Sequence, residues 1–173
     1  MFRRLKAWRR RRPASRPSAE EIAQLLLVEW LGKTDRTVLW DVCGQRRDPS
    51  LLSPVFSMYE LASVYLVLGP RAEQWPLLGD ALRHLTVAVQ SQMSDERVVE
   101  TLGKHIQDAG RRLAGLLEGA GKDKPLSWAR ESLREDFDIE ETNPATLTMW
   151  ASYWMDYYIQ LSKACEDILR AYE

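Results

Sequence analysis

Histidine and cysteine, the side chains that most often carry acid–base, nucleophilic and metal chemistry, are scarce here: His84, His105, Cys43 and Cys165 are all there are. Neither histidine stands in an E-x-x-H or H-x-x-x-H arrangement, so the ligand sets of a di-iron bundle and of a zinc protease are missing. Glu131 and Glu135 are one helical turn apart, but without a third ligand they read as part of a solvated face. The two cysteines fall in separate expected helices with no C-x-x-C, as buried reduced thiols do. No metal, no cofactor and no catalytic residue is expected, and the chain reads as non-enzymatic.

Two short motifs invite a functional reading and fail it. The run Gly119–Lys122, GAGK, looks like part of a phosphate loop, because glycine backbones can approach a phosphate that a lysine then neutralises. The glycine that should open the pattern is Leu116, and the Ser or Thr after the lysine is Asp123, so a helix connection is the better reading. The segment Lys33–Val42 resembles the start of a recognition helix, with Arg36 available for phosphate or base. Ala23 and Gly32 are nine residues apart, too far for the tight turn of a helix-turn-helix, and Val38, Leu39 and Val42 are explained by core packing.

The aromatic run Trp150–Tyr158, WASYWMDYY, could line a pocket for a planar or cationic ligand, with Asp156 as counter-charge. Trp150, Trp154 and Tyr157 belong to a helical core stripe, whereas Tyr153 and Tyr158 lie off its centre and widen the apolar face. That surplus points to a second contact through Tyr153 and Tyr158, with a protein partner or another copy of the chain as a homodimer; the alternative is a small-ligand binder or enzyme with an aromatic pocket around Trp150–Tyr158.

The strongest functional signal is the N-terminus. Arg3, Arg4, Lys6, Arg9, Arg10, Arg11, Arg12 and Arg16 place eight basic groups in residues 1–17 with no acid among them. Of 24 basic residues, 16 then remain in 18–173 against 25 acidic ones, so an arm of +8 precedes a body of −9 within a chain of net charge −1. Such a division implies a polyanionic partner for the arm and not for the body. Drawn as a helix, the arm sets Phe2, Leu5 and Trp8 on one side and Arg3, Arg4, Lys6, Arg10 and Arg11 on the other, with Arg9 and Arg12 intruding on the apolar side. Apolar residues alternating with basic ones favour an anionic membrane surface, where each basic residue near the headgroups contributes about 1 kcal/mol. Nucleic acid is the competing polyanion, and an organelle transit peptide competes as a reading of Met1–Ser18.

The elements that position these residues read as helices throughout. Ser18 and Glu21 form a capping box ahead of Ile22, Leu25, Leu26 and Trp30, with Gly32 as the stop. A shorter helix follows from Thr34 or Asp35 through Cys43, before the polar break Gly44–Ser50. Ser53 and Pro54 are expected to open a third helix that ends at Gly69-Pro70 and leaves little polar face. The fourth is expected near Arg71–Gln92, with Trp75, Leu78, Leu82, Leu85 and Val89 as its stripe. Ser94 caps a fifth helix, in which Gly103 and Gly110 would permit close approach of a neighbouring backbone. The loop Glu118–Pro125, a short helix through Leu126, Ala129 and Leu133, and the acidic turn Asp138–Asn143 lead to a final helix. Asn143 caps it, Pro144 begins it, and Leu147, Trp150, Trp154, Tyr157, Leu161, Ala164, Ile168 and Ala171 line its core face nearly to the C-terminus.

The expected fold class is therefore all-α: a single-domain bundle of six or seven helices over 18–173, preceded by a short basic N-terminal tail at 1–17. Its composition, 45% hydrophobic and 28% charged, is globular. The longest apolar stretch, Leu61–Gly69, is about half the 18 or so residues of a membrane span. The polar segment from Pro13 to Glu21 denies the basic start a signal-peptide core, which suggests a cytoplasmic protein, with the inner membrane face as its site of attachment. The function expected is a binding or adaptor protein attached peripherally through its arm.

Overall fold

Ser18 and Glu21 form the expected reciprocal cap: the Ser18 hydroxyl accepts from the Glu21 N–H at 3.1 Å, and the Glu21 carboxylate accepts from the Ser18 N–H at 2.8 Å. The cap opens α1 (Ala19–Leu26), whose Ile22, Ala23 and Leu26 are buried. The computed structural model describes residues 18–28, 49–91, 93, 96–118 and 124–172. Among them are five further helices and no strand: α2 (Pro49–Ala72), α3 (Pro76–Gln90), α4 (Glu96–Leu117), α5 (Lys124–Phe137) and α6 (Pro144–Tyr172). The chain is an all-α bundle. The helix expected from Thr34 to Cys43 lies outside the described residues, as do Trp30, Gly32 and the arm.

Helix α2 is the axis around which the others pack, with contacts to α3, α4, α5 and α6, while α1 lies against α3 and α5 against α6. Every residue from Met58 to Val64 is buried, nearly two turns with no face left to solvent. Two polar residues, Glu60 and Ser63, are carried inside with them; the Ser63 hydroxyl donates to the Tyr59 carbonyl at 2.9 Å. One hydrophobic cluster joins residues from all six helices, from Ile22 in α1 to Cys165 in α6.

Three expectations are corrected. Helix α2 begins at Pro49 and continues through Pro54 to Ala72, rather than opening at Ser53-Pro54 and stopping at Gly69-Pro70. Each internal proline removes one backbone donor and crowds the carbonyl four residues back, a local cost. Burial of the central run outweighs it. The next helix begins at Pro76, not Arg71: Trp75 is extended at φ −133° and ψ 91°, the conformation a following proline imposes, and serves as N-cap rather than core. Finally, Gly103 and Gly110 meet no neighbouring backbone; a Cβ added at either would find no atom within 4 Å.

The last helix forms as expected. The Asn143 side chain accepts from the Ala145 N–H at 2.9 Å. Leu147, Trp150, Trp154, Tyr157, Leu161 and Ala164 are all buried along it. The acidic turn before it reverses at Asp138, φ 51°, and the Ile139 N–H returns to the Leu133 carbonyl at 2.9 Å, which buries Ile139 behind α5.

Candidate functional site

Three helices deliver one polar side chain each to a common point. Tyr59 from α2 donates its hydroxyl to Oδ2 of Asp136 on α5, and Nε of Arg112 on α4 lies 2.9 Å from the same oxygen. Arg112 also reaches Glu131 at 3.5 Å, and its backbone carbonyl accepts from the Trp128 indole N–H at 2.7 Å. Above the group opens a cleft of about 320 Å³ with His105, Asp108 and Glu135 on its rim and Val55 and Met58 on its wall.

Burial is the largest influence on both titratable oxygens. It holds the Asp136 carboxyl above the ordinary 3.8, against the opposing pull of the Tyr59 hydrogen bond and the Arg112 charge. Burial also pushes the Tyr59 phenol well above its ordinary 10.0, and the adjacent Asp136 carboxylate adds to that rise. A carboxyl with a raised pKa beside a cleft is the type of group that acid–base catalysis uses. Here Tyr59 and Arg112 both meet Asp136 Oδ2. The arrangement is best suited to locking α2, α4 and α5 together.

Trp150, Trp154 and Tyr157 of the α6 aromatic run are core, while Asp156 is exposed. Trp150 and Trp154 are fully buried, and Trp154 is the hub, with ring centroids at 4.9 Å from Phe56, 5.0 Å from Tyr59, 5.7 Å from Trp150 and 5.6 Å from Tyr157. The Trp150 indole N–H donates to the buried Ser132 hydroxyl at 2.9 Å, so the polar edge of that ring is satisfied inside. Tyr153 and Tyr158 are each half-buried but do not share a face, since five residues of helix separate them by roughly 140°. Tyr153 turns its ring against Phe56 at 5.6 Å and Trp154 at 5.3 Å. Tyr158 lies on the opposite flank, one turn from Met155 and next to Ile159, which are 37% and 45% exposed.

Of the other residues singled out in the sequence, His84 is exposed on α3 beside a shallow cleft with Glu20 and Gln24, and His105 is exposed on α4. Glu131 and Glu135 are exposed on α5. Among the described residues no group of three or more His, Cys, Asp or Glu could hold a metal ion, and no helix is long and apolar enough to cross a membrane. Phe2, Arg3, Arg4, Leu5, Lys6, Trp8 and Arg9–Arg12 lie outside the described residues, as do Lys33–Val42 and Gly119–Asp123. The Tyr59–Arg112–Asp136 group had no signal in the sequence, because Tyr59 and Asp136 are 77 positions apart and each is an ordinary residue of its own helix. No family model, no curated protein and no solved structure matches the chain.

Proposed function

We propose that the protein is a non-enzymatic binding module that attaches to an anionic membrane surface through residues 1–17 and engages a protein partner, or a second copy of itself, through the helical body. The observation that supports it is the division of charge: eight basic groups and no acid in the first 17 residues, ahead of a body of −9. Phe2, Leu5 and Trp8, set among those arginines, add the apolar insertion that a purely electrostatic arm lacks. An acidic body is repelled by the same surface, so attachment falls to the arm and the body faces away from the lipid. On the body, the flank of α6 formed by Tyr158, Met155 and Ile159 offers exposed apolar surface to a partner.

The test compares two sets of substitutions in the full chain. Replacing Phe2, Leu5 and Trp8 with Ser keeps every charge; replacing Arg9, Arg10, Arg11 and Arg12 with Gln keeps every apolar group. Attachment to anionic vesicles should weaken at least about tenfold in both sets, since insertion and attraction act together. Nucleic acid is the reading to be distinguished. It would leave the apolar set without effect and give tight binding to DNA or RNA that falls steeply with salt.

A further inference from the structure

Between α2, α3 and α4 runs a groove of about 540 Å³, within the range of roughly 300–1,000 Å³ typical of small-molecule sites. Its α4 wall is Gly103, Ile106, Gln107, Gly110, Arg111 and Ala114, and its floor is Ala62 and Leu66 of α2. From Gly103 to Ala114 the groove follows the helix for about 16 Å. It exists because of the two glycines: with no side chain at 103 or 110, and open space where each Cβ would stand, nothing of α4 fills it.

The polar atoms on its walls argue for a particular occupant. Tyr65 and Thr86 join their hydroxyls at 2.8 Å, and Thr86 also donates to the Leu82 carbonyl at 2.9 Å, so both reach the groove already satisfied; the exposed Gln107 is the other uncharged polar side chain on a mostly apolar lining. A polar ligand such as a nucleotide would find few partners there. Arg111, toward the Ala114 end, carries the one charge among the lining residues; its side chain is 79% exposed and its ion pair with Asp108 is 3.5 Å long. A mostly apolar groove with a cation toward one end complements a single-chain amphiphile with an anionic head.

We infer that this groove binds a medium-chain fatty acid of about twelve carbons, with the chain along Ile106, Gly110 and Leu66 and the carboxylate at Arg111. The groove is lined by residues of α2, α3 and α4 alone among the described residues, and the inference does not rest on attachment of the arm to membranes.

The experiment is calorimetric titration of the full chain with dodecanoate below its micellar concentration, with dodecanol and butyrate as comparisons. Dodecanoate should bind saturably, one per chain, and butyrate should not bind. Gly110→Leu has room for its Cβ and replaces glycine with a better helix former, so it fills the groove without unfolding the protein. It should weaken binding by about fourfold for each methylene it displaces. Arg111→Gln should weaken dodecanoate by up to about fivefold, as expected for an exposed pair, and bring it level with dodecanol. Absence of saturable binding would overturn the inference and leave the groove to a partner helix or a second copy. So would binding untouched by Gly110→Leu but lost when Arg9–Arg12 are replaced with Gln, which would place the amphiphile on the arm.

Discussion

Asp136 sits between a phenol and a guanidinium, yet burial keeps its carboxyl above the ordinary 3.8. Between that value and the raised one, the native protein holds a proton that the unfolded chain has released. The contribution of Asp136 to stability therefore falls as pH rises through this window and grows on acidification, opposite to an ion-paired surface carboxylate. Unfolding free energies of the native chain and of Asp136→Asn, measured from about pH 7 down to about pH 4, should move in favour of the native chain as pH falls; a constant difference would contradict the placement. Cys165 makes a second case at this scale. Only 1% exposed, its thiol is pushed by burial up to about 12, so it stays protonated and unreactive while the fold is intact. Iodoacetamide at about pH 8 should label Cys165 only after denaturation, as read by peptide mass mapping, and rapid labelling of the native chain would show the site to be open.

At the scale of the element, the glycines of α4 give the cleanest prediction. Their positions have free space and neither requires a positive φ, so Gly103→Ala and Gly110→Ala should each stabilise the protein by about 0.5–1 kcal/mol, a rise in Tm of about 1–4 °C. A loss of stability at either would mean that another backbone does approach there. Where a helix signal was local, the sequence carried it: the Ser18–Glu21 box, the Asn143-Pro144 start and the three-and-four spacing from Leu147 to Ala164 all appear in the structure. Where two signals competed, the local one misled. Ser53-Pro54 and Gly69-Pro70 resemble a start and a stop, but burial of Met58–Val64 on every side holds α2 helical beyond both. Pro76 was the better start signal for α3, and the stripe through Trp75 concealed it. The small residues of α4 suggested a tight helix crossing, whereas only the packed bundle reveals that they border a groove.

For the whole molecule, the proposed function rests on the contrast between two parts of unlike charge, and that contrast is legible in composition alone. The locking group of Tyr59, Arg112 and Asp136 is illegible there, since it depends on three helices meeting. Within the body the Trp150 indole N–H donates to Ser132 and the Trp128 indole N–H to the Arg112 carbonyl, whereas the buried Trp154 indole N–H has no hydrogen-bond partner among the described residues. In the proposed function the arm holds the body at the membrane. The most direct test is flotation of the full chain and of residues 18–173 with neutral and with anionic liposomes, at low and moderate salt. The account predicts that only the full chain floats, only with anionic liposomes, and less as salt rises. Flotation of residues 18–173 alone, or failure of the full chain to float with anionic lipid, would contradict it.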